Sequence, residues 1–185
     1  MVQIMKVAIT GDSYGIGAAL RHRFELEGHT VVGFSRSKGY DISNPEDRRR
    51  IIAESQDCDL FINNAYATYS QCDLLFELWE SWKDQPKRII NISSSIVMRW
   101  QHDFRDIKYR NCKIALEDAS EFLWNKSQWP AIMIVRPCLT DTPAAKQNTK
   151  PGKVDPFDFA EHLYKNINDD LSFRVQLLAL AVKVQ

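Results

Sequence analysis

A short apolar strand that runs into a glycine-rich turn and then a helix is the feature that most restricts the fold of this sequence. Lys6–Thr10 is the apolar run, and Gly11, Gly15 and Gly17 separate it from a helical pattern over residues 16–28. Glycine lets the backbone approach a pyrophosphate, whose charge is met by free N–H groups and the positive end of the helix. A P-loop is excluded because no Lys-Ser or Lys-Thr pair follows the last glycine. The turn predicts a dinucleotide site, the alternative being a plain glycine-rich turn.

Strand and helix patterns alternate along the rest of the chain. Apolar runs predict strands at residues 30–34, 59–62, 88–92 and 131–135, and apolar spacing predicts helices at 43–52, 74–82, 106–124 and 155–166. Residues 173–184 fit either a strand or a helix, and we favour a strand. Since no repeat or low-complexity segment interrupts the alternation, we expect an α/β fold with one Rossmann-type, doubly wound parallel sheet. Residues 1–185 then form a single NAD(P)-binding domain.

Composition excludes several classes of function. Lys+Arg and Asp+Glu both number 24, so the formal net charge is zero and nothing favours binding to nucleic acid or an anionic membrane. The N-terminus runs directly into a strand pattern without a signal-peptide layout or a spanning apolar stretch, so we expect a cytoplasmic protein. The 4 cysteines and 4 histidines lack CxxC and HExxH spacing. We therefore expect no metal site, reduced core cysteines and surface histidines.

The glycine spacing after Thr10 resembles the classical type of the short-chain dehydrogenase/reductase family, of which this chain would be an unusually short member. Four more matches to the family's motifs, and the aspartate that the family places near the adenine, follow in the family's order between about residues 6 and 143. Asp41 corresponds to that aspartate, and Asn63, Asn64 and Ala65 correspond to an Asn-Asn-Ala-Gly motif. The remaining matches are Asn91 to Ser94, the segment with the family's catalytic serine; Tyr109 and Lys113, its Tyr-xxx-Lys; and Pro137 to Thr142, the segment with a threonine that contacts the nicotinamide.

The Tyr109 and Lys113 side chains stand one helical turn apart and so project from the same face. A neighbouring ammonium lowers the pKa of a phenol. The resemblance implies that Tyr109 exchanges a proton with the substrate oxygen, that Lys113 holds the nicotinamide ribose and tunes Tyr109, and that Ser94 hydrogen-bonds the carbonyl. Ser95 is a rival to Ser94, and without the resemblance this Tyr and Lys would indicate only an exposed helix face.

The phosphate state of the cofactor is read at the end of the second strand, where the family's acidic position corresponds to Ser35. Arg36 follows, with Ser37 and Lys38 nearby, so hydroxyl donors and a guanidinium are available to a 2′-phosphate. We therefore expect NADP(H) rather than NAD(H), the alternative being that Arg36 is a solvent-facing loop residue. The expected cofactor-binding residues are Gly11, Ser13, Tyr14, Gly15, Ile16, Gly17, Ser35, Arg36, Asp41, Asn63, Asn64, Ala65, Tyr109, Lys113, Pro137, Thr140 and Thr142.

The sequence departs from the family pattern around the substrate site. The segment before the serine strand is short, and no residue of 67–79 can be assigned as the family's relay asparagine, so water or a residue such as Gln71 substitutes for it. Tyr66 and Cys138 replace family glycines and put bulk near the cofactor and substrate. The segment after Thr142, residues 143–154, is brief, which predicts a small or open substrate site. Its candidate lining residues are Met98, Trp100, His102, Cys138 and Thr140.

The leading hypothesis is an NADP-dependent oxidoreductase that acts on a small-molecule carbonyl or secondary alcohol, with Tyr109 as the acid/base. The main rival is a binding protein that keeps the cofactor site as a redox sensor or scaffold. An extended-type epimerase or dehydratase is disfavoured by the glycine spacing and the short C-terminal region. We expect a homodimer or homotetramer formed through residues 74–82 and 106–124, with Trp79, Trp82, Phe122 or Trp124 on the exposed side of these helices.

Overall fold

Strands and helices alternate along the described part of the chain, which comprises residues 4–98, 104–146, 152–168 and 177–179 of a computed structural model. The strands are β1 (Lys6–Thr10), β2 (Thr30–Phe34), β3 (Leu60–Asn63), β4 (Arg88–Ile92), β5 (Ala131–Arg136) and β6 (Leu177–Ala179). The helices are α1 (Gly15–Leu26), α2 (Pro45–Glu54), α3 (Ser70–Trp82), α4 (Phe104–Trp124) and α5 (Pro156–Asn168). The predicted strands and helices are confirmed, including a strand within residues 173–184.

The strands form one parallel sheet in the order β2-β1-β3-β4-β5-β6. The connection from β1 leads to β2 on one side, whereas β3 and the following strands lie on the other side. The sheet is therefore doubly wound, with a topological switch point between β1 and β3. This confirms the predicted Rossmann-type fold. In the well-known order 3-2-1-4-5-6 a further strand lies outside the second strand. The described residues contain no such strand, so β2 is an edge strand.

Helices cover both faces of the sheet and build two hydrophobic layers. On one face α1 and α5 pack on alternate strand residues, where Leu20, Phe24 and Leu163 share one buried cluster with Val7 and Ile9. On the opposite face α3 and α4 pack on the intervening residues, and the buried side chains include Ala8, Phe61, Leu75, Trp82 and Ile132. Burial on both faces explains why the strands read as continuous apolar runs.

Helix α3 differs most from its prediction. It begins at Ser70 rather than at residue 74, because its first turn is polar and the apolar spacing starts later. Trp79 and Trp82, which we expected on an exposed side, are buried in the layer between α3 and the sheet. That expectation was wrong for these two residues, since both are buried within the hydrophobic layer on this face of the sheet. Phe122 is 54% exposed and Trp124 is partly exposed.

The cysteines and histidines follow the expectation only in part. All four cysteines are free, and Cys58, Cys72 and Cys112 are buried. His29 contradicts the expectation of surface histidines, because it is buried and its Nε2 lies 2.9 Å from the Tyr164 hydroxyl. Among the described residues no helix is long and apolar enough to cross a membrane. The same residues contain no group of His, Cys, Asp or Glu side chains arranged to hold a metal ion.

Candidate active site

The glycine-rich turn lies at the carboxyl end of β1, beside the switch point. Within the described chain, no side chain caps the N-terminus of α1 and its first turn carries no acidic residue, so its N–H groups suit an anion. Gly17 packs against the turn itself, since a Cβ there would lie 2.1 Å from the Gly11 carbonyl oxygen. Tyr14 and Ile16 occupy the same turn, where Tyr14 is exposed.

The end of β3 holds this turn in place. The Thr10 hydroxyl accepts hydrogen bonds from the backbone N–H groups of Asn64 and Ala65, each at 3.0 Å. The Asn64 side chain donates to the Thr10 carbonyl oxygen at 2.9 Å. The predicted motif that follows β3 thus lies directly against the glycine-rich turn, as a dinucleotide site at a switch point requires.

Three serine hydroxyls gather where β2 ends. The Ser13 Oγ lies 2.6 Å from the Ser35 Oγ and 2.7 Å from the Ser37 Oγ, and the latter two are 3.1 Å apart. Arg36 is exposed on the short turn between Ser35 and Ser37. Sequence reasoning placed Ser35 and Arg36 here, and the structure adds Ser13 from the glycine-rich turn as a third hydroxyl. We call Ser13, Ser35 and Ser37 the serine cluster.

Asp41 lies in the turn that leads into α2. Its carboxylate accepts hydrogen bonds from the backbone N–H and the hydroxyl of Ser43, at 2.9 and 2.7 Å. These bonds lower the pKa of Asp41. The carboxylate therefore stabilises this local turn, and its expected proximity to an adenine stays a prediction.

A buried polar network joins β3, β4, α3 and α4 behind the glycine-rich turn. The Asn63 side chain donates to the Asn91 Oδ1 at 2.9 Å, and Asn91 donates to the Ser120 hydroxyl at 2.9 Å. The Gln71 side chain donates to the carbonyl oxygens of Asn63 and Ile92, at 2.7 and 3.2 Å. Polar side chains at this depth are stable only with such partners.

Lys113 is the charged member of this network. It is 2% exposed, and its Nζ donates to the Gln71 Oε1 and to the Ile92 carbonyl oxygen, both at 2.8 Å. Burial lowers the pKa of Lys113 to about 7, because the ammonium has lost its hydration. Gln71, which the sequence suggested only as one substitute for a relay asparagine, thus contacts Lys113 directly.

Tyr109 lies one helical turn before Lys113, and Ser94 lies near enough to lower the pKa of Tyr109 through a hydrogen-bonding interaction. This contact associates Ser94, rather than its rival Ser95, with the phenol. Burial raises the pKa of Tyr109 and outweighs the lowering by Ser94. The expectation that the neighbouring ammonium lowers this pKa does not hold. The Lys113 Nζ faces the ring, 5.6 Å from its centroid, and donates to Gln71 and Ile92 instead.

Tyr66 provides the bulk expected at the replaced family glycine. Its ring packs edge-on against the ring of Tyr109, with centroids 4.8 Å apart, and its centroid lies 5.4 Å from the Lys113 Nζ. Burial is the largest cause that raises the pKa of Tyr66 to about 12. The Tyr66 ring therefore packs beside both Tyr109 and Lys113.

The segment after β5 contacts Ser95, just after β4, at one end and the glycine-rich turn at the other. The Pro137 carbonyl oxygen accepts a hydrogen bond from Ser95 N–H at 2.9 Å. Thr140 is buried and donates to the Cys138 carbonyl oxygen at 3.0 Å. The methyl group of Thr142 lies against Gly15, 3.0 Å from where a side-chain carbon would begin.

The remaining predicted lining residues are Met98, Trp100 and His102. Met98 is exposed in the 3-10 turn Ser95–Met98, whereas Trp100 and His102 lie outside the described residues.

Sequence reasoning missed one buried group at this edge of the sheet. The Glu117 carboxylate accepts hydrogen bonds from the Ser93 hydroxyl and from the Arg136 guanidinium, whose Nε lies 2.9 Å from the Glu117 Oε1. These bonds tie α4 to the ends of β4 and β5. The sequence spacing could have identified Glu117, because it stands one helical turn after Lys113 and on the same face of the helix.

Comparison with known proteins supports the fold through structure and not through sequence. No family model matches the chain, and no curated protein matches it. The structure of a 3-alpha-hydroxysteroid dehydrogenase from a Pseudomonas species, complexed with NADH, superposes with a TM-score of 0.79 at 19% identity over 94% of each chain. A short-chain dehydrogenase from Burkholderia cenocepacia in complex with NADP gives a TM-score of 0.78 at 17% identity, over 96% of this chain and 89% of that one.

A third similar structure is the 3-ketoacyl-(acyl-carrier-protein) reductase from Brucella melitensis, complexed with NADH. Its TM-score is 0.79 at 18% identity over 94% of each chain. At these identities the similarity shows the Rossmann-type fold of this chain.

Proposed function

We propose that this chain is an NADP-dependent oxidoreductase of the short-chain dehydrogenase/reductase type, which transfers a hydride between the nicotinamide and a carbonyl or secondary alcohol. The observation that carries the proposal is the convergence of Ser94, Tyr109 and Lys113 near the carboxyl edge of the sheet, where Ser94 acts on the pKa of Tyr109 and the Lys113 Nζ lies 5.6 Å from the centre of its ring. Ligands of doubly wound folds bind outside this edge at the switch point. The similar structures, which hold NADH or NADP, support the same assignment.

The residues around the switch point fit a dinucleotide. The uncapped first turn of α1 can receive the pyrophosphate, and Gly17 lets this helix pack tightly on the glycine-rich turn, where a Cβ would clash with the Gly11 carbonyl oxygen. When bound, the nicotinamide supplies or accepts the hydride. The chain itself must then supply the proton. In the proposed mechanism Tyr109 exchanges that proton with the substrate oxygen, Ser94 hydrogen-bonds the same oxygen, and Lys113 holds the nicotinamide ribose.

The serine cluster and Arg36 support the preference for NADP(H). A 2′-phosphate can accept hydrogen bonds from the hydroxyls of the cluster and pair with the exposed guanidinium. An acidic side chain, which would bond the 2′-OH of NAD and repel a phosphate, is absent at Ser35.

The variant Tyr109→Phe tests the proposed chemistry. It keeps the ring and removes only the hydroxyl, so dinucleotide affinity should stay nearly unchanged while turnover falls by roughly 10²–10⁴-fold, the scale of general acid catalysis. The measurement is a screen of small carbonyls and alcohols with both cofactors, which follows the absorbance of the reduced nicotinamide. Tyr69→Phe, which removes the hydroxyl of an exposed tyrosine near the start of α3, is the matched control. Turnover that survives Tyr109→Phe contradicts the mechanism.

A dinucleotide-binding protein without turnover, acting as a redox sensor or scaffold, is the second candidate function. Two observations favour it. The Tyr66 ring packs edge-on against the Tyr109 ring, and the Lys113 ammonium already donates hydrogen bonds to Gln71 and to the Ile92 carbonyl oxygen. In that case the wild-type chain binds NADPH, turns over no carbonyl or alcohol, and is unaffected by Tyr109→Phe.

We also propose a cytoplasmic homodimer or homotetramer assembled through the outer faces of α3 and α4. The exposed side chains of Phe76 and Phe122 border a groove of about 310 Å³ between these helices. Its other lining residues are Trp79, Glu80, Lys83, Leu123 and Lys126. Apolar patches with a polar rim are typical of protein interfaces. The proposal includes no nucleic-acid or membrane partner.

A further inference from the structure

Asp12 is a buried carboxylate in the glycine-rich turn, where the proposed function gives it no role. It is 2% exposed, and its Oδ2 accepts hydrogen bonds from the Lys38 Nζ at 2.5 Å and from the Arg21 guanidinium at 2.8 Å. Its Oδ1 is buried without a partner in the described chain. Burial of a carboxylate is unfavourable unless it is paired, so the two cations explain why it is tolerated but not why it is present.

The Asp12 side chain lies across the backbone of β2. A Cβ at Gly33 would lie 1.8 Å from the Asp12 Oδ2, so only glycine leaves room for the carboxylate there. The Lys38 Nζ also donates to the Gly33 carbonyl oxygen at 3.3 Å. Lys38 therefore reaches back from the turn after β2 and fastens it to the turn after β1. We call Asp12, Gly33 and Lys38 the clamp.

The clamp flanks the serine cluster. Ser13, the residue after Asp12, contacts Ser35 and Ser37, and Lys38 follows Ser37 directly. On the other side, the Gly11 N–H donates to the Phe34 carbonyl oxygen at 2.7 Å. The hydroxyls thus come together because two turns from different strands are held at a fixed separation.

We propose that Asp12 is a positioning residue that sets the cofactor preference: by binding Lys38 it holds the turn Ser35–Lys38 against the glycine-rich turn and so presents the serine cluster and Arg36 to a 2′-phosphate. This inference rests on the proposed function and deepens it. It also takes Lys38 out of the set of phosphate ligands, because its ammonium is bonded to Asp12 and Gly33. Arg36 is then the cation that meets the phosphate.

The competing explanation, that Lys38 binds the phosphate and Asp12 competes for it, predicts the opposite sign for Asp12→Asn. If Asp12 positions the turn, Asp12→Asn loosens it and lowers the ratio of NADPH to NADH affinity by about 10-fold, as expected for a lost charge-assisted contact. If Asp12 competes, the same variant frees Lys38 and raises that ratio.

The test is a double-mutant cycle of Asp12→Asn and Lys38→Met, with the dissociation constants of NADPH and NADH measured by calorimetry. We expect each single variant to lower the affinity ratio by about the same factor and the double variant to lower it no further, because both changes break the Asp12–Lys38 contact that holds the turn. Lys38→Arg should restore most of the ratio. A ratio that rises in Asp12→Asn, stays unchanged or falls additively overturns the inference.

A matched control and a second measurement keep the test decisive. Asp57→Asn breaks an exposed ion pair with Lys6 at the opposite end of β1 and should leave the ratio unchanged. If Asp12→Asn does not fold, the salt dependence of NADPH affinity in Lys38→Met decides. It should equal that of the wild type, since Arg36 meets the phosphate, and a weaker dependence identifies Lys38 as a ligand. A wild-type chain that binds neither dinucleotide contradicts the proposed function itself.

Discussion

Replacement of Gln71 by leucine tests whether this side chain sets the protonation of the buried Lys113. Leucine keeps an uncharged side chain in the space but removes the Oε1 that accepts from the Lys113 Nζ, leaving the Ile92 carbonyl oxygen as acceptor. A hydrogen bond to a charged group contributes about 1.5–3 kcal/mol, equivalent to about 1–2 pKa units. The pKa of Lys113, about 7 in the wild type, should therefore fall to about 5–6 in the variant.

This change is visible in the pH dependence of stability. Burial lowers the pKa of Lys113 from its ordinary 10.5 to about 7, so between these values the unfolded chain binds more protons than the folded one. The free energy of unfolding consequently rises with pH across that window, by up to about 1.4 kcal/mol per pH unit and about 5 kcal/mol in total. Below about pH 7 both states carry the proton, and the contribution of Lys113 is flat. In Gln71→Leu the rising part should extend down to about pH 5–6.

Urea unfolding of both proteins in half-unit steps from about pH 5 to 9 measures this difference. The loss of the Gln71 bonds to the backbone destabilises the variant equally at every pH, and other groups such as His29 titrate in both proteins. The difference in unfolding free energy should stay constant above about pH 7 and grow by about 1–2 kcal/mol as the pH falls to about 5.5. In Gln71→Glu a carboxylate raises the pKa of Lys113 and shifts the flat region upward. A difference for Gln71→Leu that is constant over the whole range refutes the reasoning.

Three further predictions concern the cofactor, the assembly and the opposite end of the sheet. Arg36→Ala should weaken NADPH binding by about 10- to 100-fold, as expected for a lost charge-assisted pair, and leave NADH binding unchanged in calorimetric titration; equal affinities in the wild type contradict the NADP preference. Light scattering should give a dimer or tetramer for the wild type and a smaller species for Phe122→Asp, and a wild-type monomer at micromolar concentration contradicts the proposed interface. Burial lowers the pKa of His29 below 6.5, and its Nδ1 accepts from the Met5 N–H. The unfolding free energy should therefore fall as the pH drops below about 6.5, and His29→Gln should remove that part of the slope.

Structural features that depend on residues close together in the sequence could be predicted. The glycine-rich turn, the apolar runs and the helical spacing depend on neighbouring residues, and they give the order of strands and helices and the position of the switch point. The short turns at the ends of β2 and β3 then bring Ser35, Asn64 and Ala65 to the edge where they were expected, because parallel strands carry their carboxyl ends to the same side.

Features that depend on packing between distant segments could not be predicted. Asp12 and Lys38 are 26 positions apart, and neither residue type signals that one is buried and bonded to the other. Gln71 contacts Lys113 because α3 begins earlier than its apolar spacing indicates and so places a polar first turn at the edge of the sheet. For Trp79 and Trp82 the spacing gave the helix correctly, but it did not identify which face would meet the sheet.

The state of Lys113 bears on the choice between an enzyme and a binding protein. To hold a ribose, a lysine needs only a charged ammonium, and a partly hydrated one with an ordinary pKa would serve without the unfavourable burial of a charge. Here burial instead brings the pKa of Lys113 to about 7, where an amine can both give and take a proton at neutral pH, as efficient acid-base catalysis requires. Burial also raises the pKa of the neighbouring Tyr109, which keeps its proton available for a substrate oxygen. Proton exchange, rather than cofactor retention alone, gives this energetically unfavourable arrangement a physical reason, which favours the oxidoreductase over the binding protein.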